Sequence, residues 1–236
     1  MSIELIKRKF QPQLLSISSA IILFFSTNVF STDIPYQSKW LKQHYTERMA
    51  DFHLQPLKKG DIVFIGDSLT EMGMNWGLRF NNLKARNRGI KADMTYGVLA
   101  RLDEMKANPP QAIFIMIGIN DIFNLYYQQE LKNLSSVSEN IQRITEILHA
   151  ALPQTRIFVQ SLLPDHRDFI TVLAASVNQQ LQNIRDKKFT YIDLYTSFLS
   201  ESGVMNPVLT TDGTHLNEKG YEIWKNRLVP VIGELK

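Results

Sequence analysis

The sequence predicts a three-layer α/β/α domain, in which a parallel sheet carries helices on both faces. Short apolar runs typical of strands buried on both faces recur at residues 61–65, 112–117, 156–163 and 189–194. Stretches with helical spacing of apolar residues alternate with them, at residues 36–57, 98–105, 137–152, 169–184 and 218–235. This alternation of strand and helix is the pattern of a parallel sheet.

The segment Asn87-Arg88-Gly89-Ile90 adds the end of one more strand, so we expect about five strands. Right-handed crossovers between parallel strands place helices on both faces of the sheet. Ligands of such sheets bind beyond the carboxyl ends of the strands. Functional side chains should therefore directly follow the apolar runs, however far apart they lie along the chain.

Length and composition favour one domain with an ordinary core, since 44% of the 236 residues are hydrophobic and 21% are charged. The absence of cysteine excludes disulfides and thiol catalysis. The net charge is +3, of which the first 31 residues contribute two units. The rest of the chain is therefore nearly neutral, and it contains no run of Lys and Arg among aromatic residues. Both features argue against binding to nucleic acid.

The first 31 residues have the pattern of a secretory signal peptide. Lys7, Arg8 and Lys9 precede an apolar stretch at residues 14–25 and a polar exit that ends at Ser31. We expect cleavage before Thr32, a single mature domain at residues 32–236, and a periplasmic or secreted location. The alternative is an uncleaved membrane anchor, because no charge occurs between residues 10 and 32.

Ser68 is the candidate nucleophile. It lies in Gly66-Asp67-Ser68-Leu69, directly after the first apolar run and where a helix is expected to begin. Unpaired N–H groups and the helix dipole would favour a developing oxyanion there. The alternative is that Ser68 only caps the helix, a common role for serine.

A serine hydroxyl needs a base to take its proton, and the base must be held in the right tautomer. Asp212-Gly213-Thr214-His215 can supply both groups, because a tight turn at Gly213 would bring the Asp212 carboxylate to the His215 ring. We therefore expect His215 as base and Asp212 as orienting acid. The alternative is an Asx-type turn at Asp212 with His215 at a helix start.

Gly89 and Asn120 are candidate donors to an oxyanion, together with the N–H of Ser68. Gly89 lies at the expected end of the second strand, and Asn120 follows the apolar run at residues 112–117 in Gly118-Ile119-Asn120-Asp121. A glycine N–H can approach a substrate closely, and an asparagine side chain can donate from the other side. Alone, each of these two residues is compatible with an ordinary turn. Together, four separate segments place Ser, Gly, Asn and Asp/His in one order at predicted strand ends, which favours a functional site.

These segments resemble four conserved blocks of the SGNH hydrolase superfamily, the GDSL-type esterases and lipases, over residues 58–230. In order, they are Gly66-Asp67-Ser68-Leu69, Asn87-Arg88-Gly89, Gly118-Ile119-Asn120-Asp121 and Asp212-Gly213-Thr214-His215. Residues 87–102 also resemble the branch of platelet-activating-factor acetylhydrolase-like proteins and bacterial carbohydrate O-acetylesterases. One departure is Thr70-Glu71-Met72, where many relatives have a glycine after the glutamate.

The resemblance implies a flavodoxin-like sheet, no metal or other cofactor, and ester hydrolysis through an acyl-enzyme. It assigns the nucleophile to Ser68, the base to His215, the orienting acid to Asp212, and the oxyanion donors to Ser68, Gly89 and Asn120. We expect short acyl groups, acetyl above all, on a sugar or glycan. The alternatives are a lysophospholipase or thioesterase for longer chains, and a binding module without catalysis.

Several further residues are predicted to act in structure. Asp67 and Asp121 are expected to hold turns or second-layer hydrogen bonds, and Arg101 is expected to pair with Asp93. The remaining histidines lack the spacing of metal ligands and are interpreted as surface or helix residues: His44, His53, His149 and His166. Tyr126 and Tyr127 are compatible with a sugar-stacking role, an acyl groove or helix packing.

Overall fold

The computed structural model describes residues 33–235, so the expected signal peptide lies outside the described residues. These residues form a five-stranded parallel sheet in the order β2-β1-β3-β4-β5. The strands are β1 Ile62–Gly66, β2 Ala85–Gly89, β3 Ala112–Met116, β4 Arg156–Gln160 and β5 Thr190–Ile192. The predicted α/β fold is confirmed.

Helices cover both faces of the sheet. The long ones are α1 Lys39–Leu54, α7 Ser135–Ala151, α8 Asp168–Asn183 and α10 Glu218–Gly233. The short ones are α2 Ser68–Met72, α3 Trp76–Arg79, α4 Thr95–Leu99, α5 Asp103–Ala107, α6 Ile119–Phe123 and α9 Tyr195–Phe198, with a π-helix at Asn124–Gln128 and a 3₁₀ turn at Pro207–Leu209. None of the helices in residues 33–235 combines the length and apolar character needed to cross a bilayer.

Alternate residues of the central strands β1, β3 and β4 fill two separate cores. Val63 and Ile65 of β1 face a core shared with α7 and α8, whereas Ile62 and Phe64 face one shared with α3 and α10. On the second face, the Phe64 ring stacks 4.4 Å from that of Trp76 and 5.0 Å from that of Phe114. Because both faces are buried, these strands read as continuous apolar runs in the sequence.

The sheet fixes the place of the functional residues. The chain leaves β1 towards β2 on one side and returns to β3 on the other, so the connections diverge between β1 and β3. A crevice opens at such a divergence, beyond the carboxyl ends of the two strands. Ser68 follows β1 with one residue between, and Asn120 lies in the helix that follows β3, so both lie at this crevice.

Strand β4 is shorter than the apolar run predicts, and ends at Gln160 instead of residue 163. The Asn178 side chain on α8 accepts a hydrogen bond from Leu162 N–H at 2.8 Å and donates one to Leu162 C=O at 2.9 Å. A side chain thus replaces a neighbouring strand for this residue. Apolar composition alone does not reveal that replacement.

The helix predicted at residues 98–105 is in fact two short helices, α4 and α5, with a break around Arg101. Arg101 turns into the protein and donates to the Asp93 carboxylate at 2.9 Å, which confirms the predicted pair. It also donates to the backbone carbonyls of Arg88 at 2.6 Å and Gly66 at 3.1 Å. This one side chain therefore links the carboxyl ends of β1 and β2.

Three buried carboxyl groups lie beneath the crevice. Burial raises the pKa of Asp67 to about 7 and the pKa values of Asp93 and Asp121 to about 6. The hydrogen bonds that each carboxyl group accepts lower its pKa and offset only part of this rise. Asp67 Oδ1 accepts the N–H of Leu69 at 3.0 Å, while its Oδ2 has no hydrogen-bond partner among residues 33–235. The expected structural roles of Asp67 and Asp121 thus carry a cost in desolvation.

We predict that Asp67→Asn gains stability relative to the wild type as pH rises. An aspartate in an unfolded chain ionises at a pKa of about 4. In the folded protein the pKa of Asp67 is raised to about 7, so this group makes folding less stable as pH rises between these values. Asparagine keeps the acceptor for Leu69 and removes this loss. Urea denaturation at pH 4.5 and pH 8 should show the stability difference between variant and wild type grow by on the order of 3 kcal/mol at the higher pH.

The matched control is Asp103→Asn, because the Asp103 side chain is 93% exposed. Its stability difference from the wild type should not change with pH in the same way. A difference for Asp67→Asn that stays constant between the two pH values would contradict the raised pKa.

Candidate active site

Ser68 is the first residue of α2, and the preceding residue caps the helix. The Asp67 carboxylate accepts the N–H of Leu69, so the cap belongs to Asp67 and the alternative role of Ser68 as N-cap is wrong. The N–H of Ser68 has no intrahelical partner at this position. Ser68 thus places its hydroxyl and its N–H together at the crevice.

His215 contacts Ser68 across 147 positions of the sequence. His215 Nε2 lies 3.0 Å from Ser68 Oγ, and His215 Nδ1 lies 2.7 Å from Asp212 Oδ2. With a proton on Nδ1 donated to Asp212, Nε2 is left as an acceptor for the serine proton. The residues predicted from Asp-x-x-His therefore form one hydrogen-bonded chain with Ser68.

Asp212 also makes the turn that was the alternative interpretation of this segment. Its Oδ1 accepts the N–H groups of Thr214 at 2.9 Å and His215 at 2.7 Å, while Oδ2 meets the ring. Burial raises its pKa, but the hydrogen bonds from the His215 ring and from the two N–H groups together outweigh this effect and lower the pKa to about 2. Asp212 is therefore an anion throughout the neutral range.

The loop around Gly213 requires a glycine. Its φ is +92°, and a Cβ would collide with the His166 ring, which covers this side of the loop. Thr210 Oγ1 accepts the Gly213 N–H at 2.8 Å and donates to the carbonyl of His215 at 2.6 Å. His166, interpreted mainly as a surface residue, thus packs on the loop that carries His215.

Asp165 and Arg167 hold the same loop, and neither is predicted from the sequence. Asp165 Oδ2 accepts the hydroxyl of Thr214 at 2.6 Å, and Arg167 donates to both carboxylate oxygens of Asp165. Burial raises the Asp165 pKa, yet hydrogen bonds from Arg167 and Thr214 more than offset this, so the pKa is lowered overall. Both residues lie just beyond β4, where functional side chains of a parallel sheet are expected. This position is the feature of the sequence that could have identified them.

Asn120 lies one turn into the segment that follows β3, next to the backbone of residue 93. Its Nδ2 donates to the carbonyl of Asp93 at 2.9 Å. An amide nitrogen carries two hydrogens, so one remains for a ligand. The preceding Gly118 has φ of +131°, which turns the chain sharply from β3 into α6.

Gly89 is not placed as the sequence predicts. Its N–H donates to Asn87 Oδ1 at 2.8 Å, so it is not free for an oxyanion. A Cβ at Gly89 would collide with the backbone of Glu71, which explains the glycine by close packing of β2 on α2. The structure therefore does not support Gly89 as an oxyanion donor.

Ala92, in the same connection as Gly89, offers the free N–H that Gly89 lacks. Its φ is +60°, which is uncommon for alanine, and its N–H donates to no group in residues 33–235. Glu71 Oε2 accepts the N–H of the neighbouring Lys91 at 2.6 Å and so holds this connection in place. The sequence carries no signal for Ala92, because alanine does not indicate a positive φ.

Two cavities adjoin these residues. One of about 10 Å³ lies beneath them, and its lining includes the neighbours of the candidate residues: Asp67, Leu69, Ile119 and Thr214. Another of about 470 Å³ is lined by Ala92, Asn120, Gln128 and residues 33–38. A larger one, about 630 Å³, lies elsewhere, at the outer edge of β2, and its lining includes Arg48, Asn87 and Lys91. Size alone thus does not identify the candidate site.

Comparison with solved structures shows the same fold in several bacterial proteins. A Streptococcus pneumoniae protein provisionally described as a platelet activating factor has a TM-score of 0.68 and 23% identity, over 84% of this chain and 95% of its own. A GDSL-like lipase from Bacteroides thetaiotaomicron has a TM-score of 0.64 and 21% identity, over 83% and 98%. An acetylxylan esterase from Geobacillus stearothermophilus has a TM-score of 0.61 and 18% identity, over 75% and 95%.

No curated protein matches the chain in a sequence comparison. A family model does: the GDSL-like lipase/acylhydrolase family matches residues 64–223, a span that holds Ser68, Asn120, Asp212 and His215. Since this match covers more than half of the sequence, the chain belongs to the GDSL-like lipase/acylhydrolase family of carboxylic ester hydrolases.

Proposed function

We propose that the protein hydrolyses short-chain acyl esters with Ser68, His215 and Asp212 as its catalytic triad. The observation that carries this proposal is the hydrogen-bonded chain from Ser68 Oγ through the His215 ring to Asp212, with distances of 3.0 and 2.7 Å. This is the arrangement that activates a serine as nucleophile. A binding module would not need it.

In the first half of the reaction, His215 Nε2 takes the proton of Ser68 as Oγ attacks the ester carbonyl. The tetrahedral intermediate collapses, the bond to the alcohol oxygen breaks, and His215 returns the proton to the departing alcohol. In the second half, His215 Nε2 takes a proton from water as the water oxygen attacks the acyl carbonyl. The bond from the acyl carbon to Ser68 Oγ then breaks, the acid leaves, and His215 returns the proton to Ser68 Oγ. Asp212 stays ionised and stabilises the imidazolium in both halves.

The oxyanion would be bound by three N–H groups at the crevice. Ser68, which supplies its N–H, follows β1, and Asn120, which supplies its second amide hydrogen, follows β3. Ala92 N–H takes the place first assigned to Gly89, because it lies beside Asn120 in the lining of one cavity and is not engaged elsewhere in the described chain. Fixed donors of this kind stabilise the charge that develops on the carbonyl oxygen.

For the substrate, we propose an acetyl ester on a sugar or glycan. The cavity lined by Asp67 and Leu69, the chain neighbours of Ser68, is only about 10 Å³, room for about one water molecule. It therefore offers no space for a long acyl chain on that side of Ser68. The acetylxylan esterase from Geobacillus stearothermophilus shares the fold, which is compatible with this choice. The pattern of residues 1–31 supports export, so accessible esters outside the cytoplasm suit the enzyme.

The function is tested by hydrolysis of p-nitrophenyl acetate, butyrate and octanoate by a protein that lacks residues 1–31. We expect the rate to fall with chain length, because the small cavity next to Ser68 has no room for a longer acyl chain. Ser68→Ala should lose the enzymatic rate on all three esters. Faster turnover of octanoate would favour the alternative, a lysophospholipase or thioesterase, and equal rates in variant and wild type would exclude Ser68 as nucleophile.

Asn120→Ala should lower kcat on p-nitrophenyl acetate by about 100- to 1,000-fold, because one fixed donor to the oxyanion is lost. Asn133→Ala is the control, since Asn133 is exposed on the loop before α7. The circular dichroism spectrum of both variants should match that of the wild type. A loss below about fivefold in a folded Asn120→Ala protein would be too small for an oxyanion donor.

A further inference from the structure

An exposed group of aromatic rings lies on the rim of the crevice. We call it the aromatic shelf and define it as Tyr126, Tyr127 and Phe169. Tyr126 is 49% exposed and Tyr127 50% exposed. The Tyr126 ring stacks on Phe169 with centroids 4.4 Å apart and meets Tyr127 edge to face at 5.0 Å. Half of each tyrosine is therefore left for a ligand, which simple helix packing does not explain.

Arg167 ties the aromatic shelf to the loop that carries the base. Its Nη1 donates to Tyr127 Oη at 3.1 Å, and its Nη2 donates to Thr214 Oγ1 at 3.3 Å. Thr214 immediately precedes His215. The shelf thus lies on the His215 side of the crevice and is fixed by the same ion pair, Asp165–Arg167, that holds the catalytic loop.

The backbone of the shelf is also fixed. Tyr126 and Tyr127 lie in the π-helix Asn124–Gln128, which continues α6 directly, and such π-helical turns are often found at functional sites. The Asn124 side chain accepts the N–H of Leu131 at 2.9 Å and donates to Glu130 at 2.6 Å, which closes the following loop.

We propose that the aromatic shelf binds a sugar ring of the alcohol part of the substrate, a neutral O-acetylated oligosaccharide. This inference rests on the proposed ester hydrolysis, because His215 must return its proton to the departing alcohol and the alcohol therefore lies on the His215 side. The apolar C–H face of a pyranose packs on the face of a tyrosine ring. Arg167 is neutralised by Asp165, so the shelf has no excess positive charge to select an anionic sugar.

The proposal is tested by kcat/KM on two substrates, acetylated xylo-oligosaccharides and p-nitrophenyl acetate. Tyr126→Ala should lower kcat/KM on the oligosaccharide by about 3- to 10-fold, the size expected for loss of one stacked ring. On p-nitrophenyl acetate, which has no sugar, it should stay within about twofold. Tyr126→Phe keeps the ring and should behave as the wild type, and Leu78→Ala, at an exposed residue of α3, is the control.

Equal losses on both substrates, or none on either, would overturn the shelf as a sugar site. A selective loss on p-nitrophenyl octanoate would also overturn it, because the shelf would then hold an acyl chain. Binding separates this proposal from the hydrolysis itself. Calorimetry should show that the inactive Ser68→Ala variant binds the acetylated oligosaccharide. Adding Tyr126→Ala to this variant should weaken the affinity by a factor similar to the loss in kcat/KM. Absence of binding to Ser68→Ala would contradict the shelf alone.

Discussion

The contact between Ser68 and His215 is the interaction on which the site depends. Its two atoms are 3.0 Å apart, although 147 positions separate the residues. The serine is fixed by the parallel sheet, because it follows β1 and begins a capped helix. The histidine has no strand beneath it, so its position depends on the turn at Asp212, the glycine at 213 and the packing of residues 165–167. The proposed mechanism thus requires that the loop with His215 be held as firmly as the sheet that positions Ser68.

The same region carries a cost in stability. Asp67, Asp93 and Asp121 are buried beneath the strand ends with Arg101 as the cation that pairs with Asp93. Arg101 in turn bonds to carbonyls at the ends of β1 and β2, and Asp121 accepts the Thr95 hydroxyl at 2.5 Å. These bonds define how the connections leave the strands. We interpret the unfavourable burial of carboxyl groups as the cost of a rigid crevice.

The sequence predicts much of this because short-range patterns carry it. Continuous apolar runs identify strands buried on both faces, and residues directly after them, Ser68 and Asn120, lie at the crevice as expected. Asp212 and His215 are recognisable because three positions and a glycine suffice to close their turn.

What the sequence could not predict depends on contacts between distant segments or on backbone geometry. The sequence predicts Gly89 as an oxyanion donor. In the structure, a glycine is needed at position 89 because the backbone of Glu71 packs closely against it, and the Gly89 N–H donates to Asn87 Oδ1. Ala92 adopts a positive φ that its residue type does not indicate. The end of β4 depends on Asn178, and the break between α4 and α5 on the inward turn of Arg101. Asp165 and Arg167 follow a strand end, yet only the folded chain shows them beside Thr214.

The proposed chemistry depends on Ser68 as the nucleophile and His215 as its base. The most direct measurement is labelling with an organophosphorus fluoride, in which the attacking oxygen displaces fluoride and stays bonded to phosphorus, followed by peptide mass spectrometry. We expect one adduct on Ser68 in the wild type, and slow labelling in His215→Ala. An adduct on another residue, or rapid labelling of Ser68 without His215, would contradict these roles.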